Sequence, residues 1–234
     1  MPMEKRNLGQ NKMKLPGGNV DVLRDRVYEY LRSEMEKGNL PPGASIRMNV
    51  VCEKLKISKT PLRDAILRLE AEGLVTIQAR SGISISSLEI EDIRYLFETI
   101  CACECVLIDS IFRKFDSSHY ALLERLNSEM RSAINRGDYI AYSKPHWEFH
   151  DLFVELGDNK VARRIITPIK HRLWGFPRRR YHQKWELMAC EEHELITKEI
   201  KEKNKAEAIR AIKELHWNFS YNEQYIRWVY YPEE

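Results

Sequence analysis

The sequence predicts a mainly α-helical protein: three short helices closed by a β-hairpin, followed by an antiparallel all-helical bundle. Three observations carry this expectation. Apolar residues in the first third recur at three- and four-residue steps in three separate runs. One pair of short strand-like runs flanks Ala79-Arg80-Ser81-Gly82. Beyond residue 87 the apolar residues keep helical spacing and none alternate as in a strand.

Composition agrees. The 234 residues are 43% hydrophobic and 31% charged, enough to bury a core in one large domain or two ordinary ones. Ten glycines and nine prolines argue against collagen-like, broadly disordered or turn-rich all-β chains. The most apolar stretch, Tyr95 to Phe112, is broken by Glu98, Glu104 and Asp109, so no membrane span is expected. No apolar leader segment marks the chain for secretion. Five cysteines without a CxxC pair suit a cytoplasmic protein with reduced thiols.

Residues 1–18 carry four bases against one acid and end in Pro-Gly-Gly, which predicts a flexible basic tail. Residues 19–86 hold a net charge of +2 and residues 87–234 a net of −2, so the positive excess lies in front. The first helix follows from Val20, Leu23, Val27, Tyr30, Leu31 and Met35, and Gly38 with Pro41-Pro42-Gly43 ends it. A second, from about Asn49 to Lys54, turns Val50, Val51 and Leu55 inward. The third opens with Ser58 as N-cap and Pro61 in its first turn, carries Leu62, Ile66 and Leu69, and stops at Gly73. With Leu74–Ile77 and Ile83–Ile85 as a hairpin, the order is that of a winged helix-turn-helix.

Charge supports a polyanion partner. Between Lys54 and Arg68 stand five bases and the single acid Asp64. Lys59 and Arg63, four apart, share one face near the start of the third helix. Its helix dipole and its cations would both favour phosphate, and Arg and Lys donate to base edges. An ordinary solvated charged face is the alternative.

The segments GNLPPGASI and KLKISKTPLRDAILRLEAEGLVTIQARSGISIS resemble the GntR family of bacterial transcription regulators. That resemblance implies operator contacts at Ser58, Lys59, Thr60 and Arg63, a minor-groove contact at Gly82 in the wing, and a further contact at Asn49. Lys59 stands where the family has arginine and Asn49 is neutral, which changes the expected base preference.

Behind residue 87, breaks at Asp116-Ser117-Ser118, Arg136-Gly137-Asp138, Gly157-Asp158-Asn159, Gly175-Phe176-Pro177 and Lys203-Asn204-Lys205 separate six or seven helices. The stretches LFETICACECVLIDS, HWEFHDLFVELGDNK and EEHELITKEIKEKNKAEAIRAIKELH resemble the FCD effector domain of the FadR-type branch. His146 and His150 lie four apart on one helix face, the spacing at which a helix supplies two metal ligands. His193, near the start of one helix, and His216, in the next, complete a candidate set. By resemblance, His150, His193 and His216 match three metal-binding histidines, and His146 occupies the place of an aspartate. An all-nitrogen set shifts preference toward Zn, Ni or Cu over Mn or Mg, and a divalent Zn or Ni is expected.

The resemblance further implies a homodimer reading roughly palindromic double-stranded operator DNA, and an effector that is a small organic acid. The arginine that often holds such an acid is replaced by Ile100, so a less polar ligand is also compatible. The alternative is a constitutive DNA-binding dimer with a purely structural bundle. His119, His171 and His182 are expected to be structural or exposed. Cys101, Cys103 and Cys105 should be core packing, Arg178-Arg179-Arg180 a solvated loop, and the tryptophans mostly packing. Glu148 should point away from the histidines, and no nucleophile elbow, phosphate loop or dinucleotide fingerprint is present, so an enzyme is not expected.

Overall fold

Helix α1 (Val20–Glu36) sets Val27, Tyr28, Leu31 and Met35 into an apolar core. Against it lie α2 (Met48–Leu55) and α3 (Lys59–Ala71), whose Leu55, Leu62, Ala65, Ile66 and Leu69 complete that core. The hairpin is β1 (Val75–Gln78) and β2 (Gly82–Ile85), antiparallel, with Val75 opposite Ile85 and Gln78 opposite Gly82. The computed structural model describes residues 20–79, 82–176, 178 and 180–231. The predicted basic tail, Arg80 and Ser81 of the wing, and Arg179 lie outside the described residues. The chain divides into two compact units, one ending at Ser87 and the other opening at Leu88.

Three details of the first unit depart from expectation. Residues 43–46 pair with β2 as an added edge: Ile46 N–H donates to Ile83 O at 2.8 Å and Ile85 N–H to Ala44 O at 2.9 Å. Val50 faces solvent at 55% exposure, because α2 has a single wholly buried position, Leu55. Ser58 occupies the N-cap of α3 in extended conformation, but its side chain makes no capping bond. Gly73 stops α3 as expected; its φ of +72° suits glycine, and it lets Leu74 N–H return to Leu69 O at 2.9 Å.

A buried polar contact fastens α1 to the end of α3. The Tyr28 hydroxyl donates to Glu72 Oε2 at 2.5 Å, and the Arg68 guanidinium lies 3.8 Å from the Tyr28 ring centre. Burial, then the Glu72 carboxylate, pushes the phenol above its usual range.

The second unit contains α4 (Ile90–Ile111), ending in a 3₁₀ turn, then α5 (Ser117–Asn135), α6 (Tyr139–Leu156) and α7 (Lys160–Gly175). It continues through α8 (Gln183–Lys201), α9 (Lys205–Ala211), a π-helical turn (Ile212–His216) and α10 (Phe219–Tyr230). Helix starts are capped by side chains of Asp116, Asp138, Asn159, His182 and Asn218. Ion pairs accompany the antiparallel packing: Arg172–Asp92 joins α7 to α4 and Lys114–Asp158 links the turns at their other ends, both 3.4 Å, while Arg131–Glu194 and Lys201–Glu124, both 2.8 Å, join α8 to α5. Among the described residues no helix is long and apolar enough to cross a membrane. His119 and His182 serve as cap partners, as a structural role requires.

Tyr28→Phe removes the phenol donor to the buried Glu72 carboxylate. It is expected to destabilise the first unit by about 1–3 kcal/mol, read as a lower urea midpoint with an unchanged slope. A midpoint equal to that of the parent would show that the contact does not hold α1 to α3.

Candidate functional site

The first candidate site is the start of α3 with the wing. Asn49, Ser58, Lys59, Thr60, Arg63 and Gly82 are all exposed. Because Ser58 does not cap, the first amides of α3 are left without a side-chain acceptor, the arrangement that attracts phosphate. Gly82 has φ +88°, and a Cβ at this position would meet no atom within 4 Å, so backbone conformation rather than space selects glycine there.

The five bases counted in this segment are not equivalent. Lys54 lies 5.3 Å from the Tyr30 ring centre and 3.5 Å from Glu34. Arg68 is committed to Tyr28, Glu72 and Asp25. Lys56, Lys59 and Arg63 stay exposed, and among the described residues no ion pair engages them. Lys56 also forms the turn between α2 and α3 with a left-handed φ of 55°.

The second candidate site lies inside the helical unit. His146 and His150 project from α6, directly after Pro145, which interrupts that helix's own bonding. His193 comes from the middle of α8, not near its start, and His216 from the π-helical turn. All four are buried, and one nitrogen from each lies within 4.8 Å of the others. Three converge tightly: the Nε2 atoms of His150 and His216 are 3.1 Å apart, those of His150 and His193 3.2 Å, and those of His193 and His216 3.4 Å. His146 stands further out, its ring 6.4 Å from that of His216 and stacked on Tyr142.

Carboxylates behind the rings set this orientation. His150 Nδ1 lies 3.1 Å from both oxygens of Glu104, and His216 Nδ1 lies 2.9 Å from Glu192 Oε2. Each pairing places the ring proton on Nδ1 and turns the Nε2 lone pair inward. Trp217 Nε1–H donates to Glu104 Oε2 at 2.7 Å. Lys170, wholly buried, brings Nζ to 3.2 Å from Glu104 Oε1 at ion-pair distance but without a well-directed hydrogen bond. His193 lies on the face of Phe149, ring centres 4.1 Å apart, and its Nδ1 is buried without a partner.

These contacts determine protonation. Burial opposes the charge on Glu104, yet His150, Lys170 and the donated hydrogen bonds together hold it at about 2. Burial lowers His150 to about 4 against the upward pull of Glu104. Burial, then neighbouring imidazoles, holds His146 and His193 well below the usual histidine range. Neutral imidazoles are the form that binds a cation. With protons on both Nδ1 atoms, two Nε2 lone pairs face each other at 3.1 Å, a repulsion that a cation between them would turn into attraction. The donor set therefore fits a metal ion of nitrogen preference.

A small, partly open cavity lies beside the histidines, lined by His146 and His216 among others. Trp174, Trp185 and Trp217 all line it, more than the packing role expected of the tryptophans. Arg178, expected in a solvated loop, lines it as well and is paired with Glu186, while Arg180 is exposed. Burial opposes the Arg178 charge, but Glu186 together with Tyr230 and Tyr142 raises the pKa. Cys101, Cys103 and Cys105 are half-buried against the core, as expected, and Glu148 pairs with Lys144 at 3.7 Å. Sequence reasoning missed Glu104, Glu192, Lys170 and Arg178. The one usable signal was Glu104, an acid within an apolar helical run.

Comparison with known proteins agrees with this anatomy. Residues 23–85 match the bacterial regulatory proteins of the gntR family, and residues 93–216 match the FCD domain. The chain is similar to the HTH-type transcriptional regulator YdhC of Bacillus subtilis, 25% identical over 187 residues, covering 78% of this chain and 83% of that one. It is also 25% identical over 205 residues to the gluconate operon transcriptional repressor of Bacillus subtilis, covering 83% and 81% of the two chains. The solved structure of Escherichia coli McbR/YncC shares the fold, with a TM-score of 0.69 at 16% identity over 87% of this chain and 98% of that one. These families are regulators rather than enzymes, and the chain belongs to the GntR family of DNA-binding transcription regulators, carrying a C-terminal FCD effector domain.

Proposed function

We propose that this regulator is ligand-responsive and cytoplasmic: its helical domain binds a small organic acid at a histidine-held divalent ion, and that binding is coupled to operator affinity. The convergence of three Nε2 atoms within 3.1–3.4 Å carries the proposal. His150, His193 and His216 hold the ion, zinc or nickel by donor chemistry, and His146 flanks it from the cavity side. The bound ion supplies a fixed positive charge that attracts a carboxylate. Glu104 and Glu192 hold His150 and His216 in the ligating tautomer.

On the DNA side, Lys59 and Arg63 reach base edges while Ser58, Thr60 and the first amides of α3 take phosphate. Asn49 and Gly82 add contacts from α2 and the wing. The protein acts as a homodimer on a roughly palindromic site. Exposed apolar residues on α4 (Tyr95, Val106) and α7 (Val161, Ile165), helices packed against each other, support a face that another copy covers. Coupling between ligand and DNA is reciprocal, so an acid that weakens operator binding is itself bound less tightly by the operator complex.

Purified protein is expected to contain near-stoichiometric zinc or nickel by elemental analysis. His150→Ala should lose most of that metal and melt several degrees lower, while His171→Ala keeps both. A fully metallated, equally stable His150→Ala protein would refute the assignment. Absence of metal together with no stabilisation by any carboxylic acid would favour the constitutive dimer.

Arg63→Ala is expected to weaken binding to a selected operator duplex by tenfold or more, about 1–3 kcal/mol, with an unchanged circular dichroism spectrum. Undiminished affinity in a gel-shift assay would contradict the contact.

Acid should destabilise the metal-free protein. Its buried histidines have depressed pKa values, so the unfolded chain, protonating near about 6.5, binds more protons than the folded one. Stability is then fully present above that value and falls as pH drops toward the folded value of about 4 for His150. Melting temperature should decline between neutral pH and that limit, and His193→Gln should flatten the decline. Equal slopes in the two proteins would remove the histidines from the explanation.

A further inference from the structure

The cavity beside the histidines has a composition that narrows its occupant, given the proposed sensing role. Six aromatic side chains wall it: Phe97, Tyr142, Trp174, Trp185, Trp217 and Tyr230. Phe97 meets Trp217 edge-on with ring centres 5.2 Å apart, and Trp174 lies 6.2 Å from the same indole. Flat, polarisable walls of this kind complement a planar ring better than a branched aliphatic chain.

The polar groups of the wall are nearly all engaged. Arg178 is paired with Glu186, so it is not a free anion hook. Asn222 is saturated: its amide donates to Leu215 O and Asn218 O at 3.0 Å, and its oxygen accepts from Trp185 Nε1 at 2.7 Å. Glu192 differs. One of its oxygens holds His216, while the other, Oε1, is buried with no hydrogen-bond partner. Glu192 is only 8% exposed and is one of the residues that line the cavity, so its unpartnered oxygen belongs to the cavity wall. A buried acceptor left alone is costly, and one met by a ligand hydroxyl becomes a specificity contact.

We propose that the effector is a single-ring aromatic acid bearing a hydroxyl donor, and that Glu192 Oε1 reads this donor. The same carboxylate then touches both the ligand and His216, joining recognition to the ion-binding set. The aromatic walls supply affinity for the ring, and Glu192 distinguishes a donor-bearing ring from one without it.

The test uses the whole 234-residue chain as purified, with its metal content measured. Binding of 2-, 3- and 4-hydroxybenzoate, the matching methoxybenzoates, benzoate and cyclohexanecarboxylate is followed by thermal shift and quenching of tryptophan fluorescence. At least one hydroxybenzoate should bind tenfold or more tightly than its methoxy counterpart, and cyclohexanecarboxylate should bind weakest. Glu192→Gln retains a carbonyl to accept from His216 but presents an N–H to the cavity. It should erase or invert the hydroxy-over-methoxy preference when the two proteins are compared at equal metal loading. Equal binding of hydroxy and methoxy acids, or an unchanged preference in Glu192→Gln, would overturn the role of Glu192. Lactate or acetate binding as tightly as the ring-bearing acids would overturn the aromatic class yet leave acid sensing intact. No binding by any acid would overturn both.

Discussion

Glu104 is the carboxylate on which the interior of the helical domain depends. It sits wholly buried on α4 and takes His150 from α6, Lys170 from α7 and Trp217 from beside the π-helical turn. An isolated buried charge of this kind is prohibitive, and a partnered one is tolerated only when its geometry is well satisfied. Four elements must therefore assemble together, and the same assembly orients the imidazole that faces the histidine cluster. Packing and site geometry share one cause. Replacing Glu104 with an apolar residue would leave Lys170 with Asp151, 3.5 Å away, as its remaining carboxylate.

The histidine cluster follows from this constraint. His150 and His216 are each held from behind by a carboxylate, and their free nitrogens meet at close range. His193 lacks such a partner and rests on Phe149, so its orientation comes from packing. His146 stacks on Tyr142 at the cavity edge, a position that borders both the converging nitrogens and the open space. The π-helical turn widens the backbone where His216 and Trp217 must both face inward from adjacent positions, a recurrent use of this conformation at functional sites.

Local chemistry made much of this legible in the amino-acid order. Pro41-Pro42-Gly43, Ser58 and Gly73 mark the helix boundaries of the first unit because turn conformation is decided within a few residues. The i, i+4 spacing of His146 and His150 places them on one face regardless of context. The strand-like edge at residues 43–46 was not legible, since it lacks alternation and exists only by pairing with β2. Glu104 and Trp217 lie 113 positions apart, and no local rule links them. Arg178 misleads in the opposite way: three consecutive arginines look solvated, and only the fold brings Glu186 to the first of them.

The use of Lys54 and Arg68 inside the first unit has a consequence for ionic strength. Arg68 lies on Tyr28, and Lys54 is turned toward Tyr30 and Glu34, so the segment from Lys54 to Arg68 presents Lys56, Lys59 and Arg63 as its unengaged cations. Each phosphate neutralised releases about 0.9 counterions. Among the described residues this segment therefore offers three cations for counterion release rather than the five its sequence contains, so its own contribution to the salt dependence of polyanion binding should be correspondingly smaller.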